Sequence, residues 1–166
     1  MKFALLKTLG SGIALGLLLA GCGGGSDDPG PTTYNATLNV VGATDPTLNG
    51  VYTTGSISLS GVDKINPIGG EPEVCSFRFS GLQQVGNTRM LDGDIRYIPG
   101  TNELRVVFMS ISGTEFSSRT VPGAAVDKPN NEVDFNGKIL TASSGSGAVI
   151  SVSGSIPMRT GRPEGC

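Results

Sequence analysis

Acidic side chains are the residues in this 166-residue chain that could do acid–base or metal chemistry. Asp92 and Asp94 are two residues apart, and so are Glu71 and Glu73. A calcium loop needs several oxygen ligands at alternate positions and a distant bidentate Glu, so two aspartates alone favour a solvated turn or strand. Two carboxylates that meet in space could hydrolyse a glycosidic bond. A carboxylate-dependent hydrolase therefore stays open as an alternative function.

Composition excludes several other chemistries. The chain contains no histidine and no tryptophan. Histidine-dependent triads, the usual zinc-hydrolase ligand sets and histidine pH switches therefore cannot be built, and the largest stacking platform for sugars or bases is missing. Serines are abundant, but no Gly-x-Ser-x-Gly or Ser-x-x-Lys sequence contains one. We predict no catalytic, metal or cofactor-binding residues, and no cofactor, so the chain is not expected to be an enzyme.

The sequence Leu19-Ala20-Gly21-Cys22 ends a short apolar segment. Lys2 and Lys7 make the beginning of that segment positive, and small residues precede the cysteine, which is typical of a secretory signal. The apolar stretch at residues 9–20 is shorter than the roughly 20 residues of a membrane-spanning helix. The four residues resemble the lipobox of bacterial lipoproteins. This resemblance implies signal cleavage between Gly21 and Cys22 and lipidation of the Cys22 thiol.

A lipidated Cys22 would place the protein in the bacterial cell envelope. Its partner there is the membrane, reached through the covalent lipid, and two or more acyl chains suffice for stable anchoring. In enterobacterial lipoproteins an aspartate after the cysteine signals retention in the inner membrane, whereas this chain has Gly23. We therefore expect anchoring at the outer membrane, facing the periplasm.

The lipobox resemblance also bears on the cysteines, of which the chain has three. Lipidation of Cys22 leaves Cys75 and Cys166 as an even pair in an oxidising compartment. We predict a disulfide between them, with two unpaired thiols as the alternative. A bridge that closes a loop of about 90 residues stabilises a protein by roughly 4 kcal/mol in the chain-entropy model.

Three segments follow from these assignments. We expect a signal peptide at residues 1–21, the lipidated cysteine and a flexible tether rich in Gly, Ser and Pro at 22–33, and a β-rich domain at 34–166. The formal charge is −2, and loss of Lys2 and Lys7 with the signal makes the mature chain more acidic. Nucleic acid is not expected as a partner, because phosphate binding needs clustered Lys and Arg.

From Tyr34 onward, apolar and polar residues alternate, which is typical of half-buried strands. Proline- and glycine-rich loops are expected at residues 61–73 and 120–131, and Pro99-Gly100-Thr101-Asn102 predicts a tight turn. We expect the last two strands to pair across residues 143–146. The segments with strand alternation are 34–40, 48–59, 75–80, 88–98, 103–112, 114–119, 132–142 and 147–158.

Four glycines share the pattern apolar-x-Gly-x-apolar, namely Gly50, Gly93, Gly137 and Gly154. The first three follow Asn or Asp, a dipeptide favoured in hairpin turns. We favour strands that run through Gly137 and Gly154 and leave Gly50 and Gly93 open. Glycines on the apolar face allow a small sheet to curl. We predict an all-β domain, a single antiparallel up-and-down β-barrel of about eight strands, with a two-sheet β-sandwich as the alternative.

Three functions remain open at this point. The first is a non-enzymatic binding or structural module whose long loops contact an envelope protein. The second is a carrier that holds a small apolar ligand or lipid inside the barrel, and the third is the hydrolase. A filled interior favours the first and a dry cavity the second, whereas converging carboxylates with raised pKa favour the third. Arg78, Arg96 and Arg105 could form a basic stripe, although we favour a solvated outer face of mixed charge.

Overall fold

A computed structural model describes residues 33–166, so Gly21, Cys22 and most of the tether lie outside the described residues. One 3₁₀ turn, Pro46–Leu48, is the sole helical element of this part of the chain, which has no helix long and apolar enough to cross a membrane. The remaining elements are the strands β1 (Ala36–Val41), β2 (Gly50–Thr54), β3 (Ser58–Leu59), β4 (Asp63–Ile65), β5 (Val74–Gln84), β6 (Met90–Tyr97), β7 (Leu104–Ile111), β8 (Thr114–Ser118), β9 (Ala124–Asp127), β10 (Glu132–Ala142) and β11 (Val149–Pro157).

The strands form a closed antiparallel barrel. Its wall runs in the order β1, β2, β5, β6, β7, β8, β10 and β11, and the pairing of β11 with β1 closes it. Every wall strand lies beside the next wall strand along the chain, which is an up-and-down topology. The predicted barrel of about eight strands is therefore confirmed, and the two-sheet sandwich is not the fold.

One wall strand is built in three pieces. β2, β3 and β4 follow one another along β5, so that Tyr52 is opposite Gln84 at one end and Ile65 is opposite Val74 at the other. Because β5 is long, the chain can leave the sheet twice and rejoin it in nearly the same register. The expected loop at residues 61–73 thus contains a strand.

A second wall strand is built in two pieces, because β8 and β9 both pair with β10. Phe116 is opposite Ala142 in β8, and Val126 is opposite Val133 in β9. The segment at residues 119–123 leaves the sheet between them. The expected loop at residues 120–131 therefore also contains a strand, which at four residues is too short to show an alternation.

All four patterned glycines belong to strands, and three of them lie inside a strand. Gly50 begins β2, and Gly93, Gly137 and Gly154 lie inside β6, β10 and β11. Gly154 shows why the residue is needed: its φ is +123°, and a Cβ would lie 2.3 Å from the carbonyl oxygen of Thr37 on the neighbouring strand. No side chain fits into so close an approach of two strands.

One continuous cluster of buried hydrophobic side chains occupies the barrel interior, with contributions from every long wall strand. Burying a large apolar side chain stabilises a fold by about 1.5–3 kcal/mol, so this cluster is the main source of stability. The interior is a packed core. Its largest aromatic members, each exposed by 2% or less, are Tyr52, Phe77, Phe79, Tyr97 and Phe116.

The end of the barrel at which β1 begins is called the entry end. Residues 66–73, 98–103 and 158–166 lie there, because β5 and β7 also begin at this end and β11 terminates there. Cys75 and Cys166 form a disulfide with a Cα–Cα distance of 5.6 Å, which confirms the predicted pair. Residues 158–166, which this disulfide attaches to β5, cover the entry end.

The opposite end, called the far end, is covered by the 3₁₀ turn. The Tyr52 hydroxyl donates to the Leu48 carbonyl at 2.9 Å, and Gln84 Nε2 donates to the Asn49 carbonyl at 2.8 Å. At the entry end the Tyr97 hydroxyl makes the corresponding bond to a backbone carbonyl, at 2.8 Å. A buried tyrosine hydroxyl therefore holds a covering segment at each end of the barrel.

Candidate functional site

A groove of about 570 Å³ lies on the outer wall of the described domain. It extends across β3, β5, β6, β7 and the beginning of β8, and we call it the transverse groove. Its volume lies in the range of ligand-binding sites, which is about 300–1,000 Å³. Polar side chains on its walls are Ser58, Ser60, Arg78, Ser80, Asp92, Asp94, Ser110 and Glu115.

Gly93 lines the transverse groove. A Cβ on this glycine would lie 2.5 Å from the Phe79 ring and 2.7 Å from the Phe108 carbonyl oxygen. The missing side chain lets the Phe79 ring pack closely against β6. Gly93, for which the sequence left both a turn and a strand open, is therefore part of the candidate site.

Two carboxylates flank a serine along one row of the groove. Asp92 is opposite Ser110, and Ser110 is opposite Glu115, so the three residues cross three adjacent strands. Asp92 Oδ1 accepts a hydrogen bond from the Gly81 N–H at 3.0 Å. Within residues 33–166 no ion pair involves Asp92 or Glu115. We call Asp92, Ser110 and Glu115 the acidic row.

The neighbouring row of the groove is balanced in charge. Arg78 is opposite Asp94, and Asp94 is opposite Phe108. The Asp94 carboxylate accepts from Arg96 at 3.1 and 3.4 Å and lies 3.5 Å from Arg78 Nε. The Arg96 guanidinium lies 5.4 Å from the centroid of the Phe108 ring, which is a cation–π distance.

Arg105, the third arginine of the basic stripe considered from the sequence, also lies beside a carboxylate. Arg105 donates to Glu71 at 2.7 and 3.1 Å, and Arg119 donates to the same carboxylate at 3.3 Å. The hydrogen bond from Arg105 is the main reason why the pKa of Glu71 lies below its usual value. The outer face is therefore mixed in charge rather than a free basic stripe.

Glu71 and Glu73 do not form a pair of carboxylates. Glu73 lies 3.5 Å from Lys64 Nζ, whereas Glu71 is held by arginines. A general acid in a hydrolase needs a raised pKa, and the pKa of Glu71 is lowered. This arrangement stabilises two loops and does not support the hydrolytic alternative at these residues.

A cluster of acidic side chains that sequence spacing did not suggest lies on the hairpin of β9 and β10. Oxygen atoms of Asp127, Glu132 and Asp134 lie within 4.8 Å of one another. Asp127 accepts hydrogen bonds from Asn130 N at 3.1 Å and Asn130 Nδ2 at 2.8 Å. These bonds give Asp127 a role in the turn. Asp127 and Glu132 meet only because they are opposite each other in the hairpin.

Lys138 is a second feature that sequence spacing did not predict. Its side chain is buried on the core side of β10, and Nζ donates to the carbonyl oxygens of Thr120 and Pro122. Burial lowers the pKa of the Lys138 amine. A bulge between Phe135 and Lys138 puts both on the inside, which a strict alternation does not predict.

Of these features, the transverse groove is the one whose geometry suits a ligand. Its acidic row can accept hydrogen bonds and positive charge, and Phe108 offers an aromatic ring. Comparison of the chain with protein-family models, with curated proteins and with solved structures found no match.

Proposed function

We propose that this protein is a lipid-anchored lipoprotein of the bacterial cell envelope whose β-barrel is a non-enzymatic binding module. The observation that carries the proposal is the filled interior of the barrel. Since side chains fill the inside and chain segments cover both ends, a ligand must bind to the outer surface. The anchor rests on the lipobox resemblance of Leu19-Ala20-Gly21-Cys22.

The filled interior disfavours the alternative of an apolar-ligand carrier. A carrier barrel encloses a cavity of several hundred Å³ for its ligand. Here Tyr52 and Tyr97 are fully buried and their hydroxyls hold the segments that cover the two ends. The transverse groove opens on the wall instead, which supports recognition at the surface.

The position of the entry end supports binding at the wall rather than at the loops. The proposed tether at residues 22–33 joins β1 at that end by chain continuity, and such a tether spans on the order of 15–20 Å. The segments at residues 66–73 and 128–131 lie at the same end. They would face the membrane closely, whereas the transverse groove on the side wall stays accessible to partners.

Intact mass spectrometry of the protein extracted from its own membranes tests this proposal. We expect a chain that begins at Cys22, carries acyl groups and is two hydrogen masses lighter through the disulfide. Under native conditions no apolar ligand should stay bound. Cys22→Ala should retain residues 1–21 and carry no acyl group, because the thiolate that takes up the lipid is missing.

Ser26→Ala is the matched control, since it alters the tether and keeps the cysteine. It should be cleaved and acylated like the unchanged protein. Unchanged membrane retention of Cys22→Ala would refute the anchor. One bound lipid or apolar molecule for each protein chain, other than the covalent lipid, would favour the carrier.

A further inference from the structure

We propose that the transverse groove binds an extended peptide segment that carries lysine or arginine side chains. The inference rests on the proposed function as a binding module and specifies the chemistry of its ligand. It is carried by the acidic row, by free hydroxyl groups beside it and by the ring of Phe108.

The acidic row carries negative charge that the protein does not neutralise. In the part of the chain that the structure describes, neither Asp92 nor Glu115 has an ion-pair partner. Arg78 and Arg96 are both directed to Asp94 on the neighbouring row. The groove therefore has an unbalanced edge of two carboxylates, which attracts a ligand of opposite charge.

The spacing of the acidic row suits an extended chain. Asp92 and Glu115 lie two strands apart with Ser110 between them, which corresponds to roughly 10 Å. Alternate side chains of an extended peptide are about 7 Å apart. The long, flexible side chains of two lysines bridge the remaining distance, so both carboxylates can be engaged together.

Hydroxyl groups extend the recognition surface along the groove. Ser58 and Ser80 are opposite each other on β3 and β5, and Ser110 lies between the two carboxylates. Their side chains make no hydrogen bond within residues 33–166, so they can pair with the backbone of a bound peptide. Phe108, whose ring already lies at a cation–π distance from Arg96, adds an apolar surface for the stem of a bound lysine.

Binding of a fluorescent eight-residue peptide of alternating lysine and serine tests the inference. The lipidated full-length protein is held in micelles of a neutral maltoside detergent, and fluorescence anisotropy gives the affinity. We expect the affinity to fall as NaCl rises from 0.01 to 0.15 M, because the Debye length shrinks from about 30 Å to about 8 Å. A peptide of serine alone should not bind.

The double variant Asp92→Asn/Glu115→Gln should weaken binding by about five- to thirty-fold, as expected for the loss of two exposed ion pairs. Asparagine can still accept from the Gly81 N–H, so the fold is kept, which the thermal unfolding midpoint verifies. The control Glu103→Gln/Glu164→Gln removes the same charge from exposed positions outside the groove. It should bind within about twofold of the unchanged protein.

Equal weakening by both double variants would overturn the inference, because it would show attraction to net charge alone. Absence of peptide binding at low salt would overturn it too, as would equally tight binding of the serine peptide or of a neutral oligosaccharide. Acylation and the absence of an internal ligand are measured on the same preparation. Failure of peptide binding in acylated, ligand-free protein therefore refutes the ligand class and not the proposed function.

Discussion

Among single residues, Lys138 is the clearest case of a buried amine that stabilises the fold through hydrogen bonds. Its buried amine has no carboxylate partner within the described residues and depends on the carbonyl groups of Thr120 and Pro122. Those carbonyls belong to the segment that leaves the sheet between β8 and β9. Lys138 therefore attaches this segment to β10 where the wall is interrupted.

The lowered pKa of Lys138 predicts how stability depends on pH. Between its pKa in the folded protein and its ordinary value of 10.5, the unfolded chain binds one more proton than the folded chain. The free energy of unfolding therefore rises with pH in that interval. Lys138→Met should lose this rise. Urea unfolding midpoints from about pH 7 to 9.5 measure it.

The pH range stops before the tyrosines titrate. Burial raises the pKa of Tyr52 and Tyr97, so their ionisation acts in the opposite direction above about pH 10. Parallel pH profiles for Lys138→Met and the unchanged protein would contradict the assignment.

The sequence could not have located Lys138 or the acidic row. A strand with regular alternation would put a polar residue outside, but the bulge at Gly137 shifts the register by one residue. Asp92, Ser110 and Glu115 come together only through the register of three strands. Sequence spacing contains no information on such a register, because it depends on where each turn begins.

At the scale of elements, the close approach of β11 and β1 is the feature most sensitive to substitution. Gly154→Ala would place a methyl group 2.3 Å from the Thr37 carbonyl oxygen at a φ of +123°. Backbone cannot move away without breaking the pairing that closes the barrel. We expect a loss of at least about 2 kcal/mol in the free energy of unfolding, measured by urea denaturation.

Gly61→Ala is the matched control for this substitution. No atom lies within 4 Å of the Cβ that would be added, and Gly61 is not among the glycines with positive φ. Its effect should stay within about 0.5 kcal/mol, as for most surface substitutions. Similar losses for Gly61→Ala and Gly154→Ala would show that the barrel closure tolerates a side chain.

The alternation of apolar and polar residues predicted most strands with good bounds. β10 spans residues 132–142 as expected, and it pairs with β11 across the predicted turn at 143–146. β4 and β9 were missed because pieces of three and four residues are too short to show a period. Their existence depends on the long strands β5 and β10, which offer hydrogen bonds to any segment that returns.

For the whole molecule, the disulfide between Cys75 and Cys166 is the main covalent constraint that the structure shows. It joins β5 to residues 158–166, and the two cysteines are 91 positions apart in the sequence. The variant Cys75→Ala/Cys166→Ala should lose about 2–5 kcal/mol in the free energy of unfolding. Urea denaturation with and without reductant measures the loss.

Reductant should lower the stability of the unchanged protein to that of the double variant and leave the variant itself unaffected. Hydrogen exchange should rise first at residues 158–166, since hydrogen bonds such as those from Tyr97 to the Cys166 carbonyl and from Lys128 to the Gly165 carbonyl are then the remaining polar ties of that segment to the barrel. Equal stability of the oxidised and reduced protein would contradict a structural role for the bridge.

The sequence allowed a β-barrel to be predicted, but strand alternation alone does not distinguish a barrel from a sandwich. Both folds alternate apolar and polar residues along each strand. The glycines on the apolar face were the distinguishing feature, since Gly93 and Gly154 allow the close approaches that a tightly curved wall requires. A filled interior could not be foreseen, because the same pattern lines a hollow barrel.

Closure of the wall has a consequence for how neighbouring molecules meet at high concentration. Open sheet edges invite pairing between neighbouring molecules and lead to aggregation. Among the described strands, only the short pieces β3, β4 and β9 have a single strand partner. β4 is three residues long and carries Asp63 and Lys64, which discourages edge pairing. The closed wall therefore leaves few open edges through which concentrated molecules could pair into fibrils.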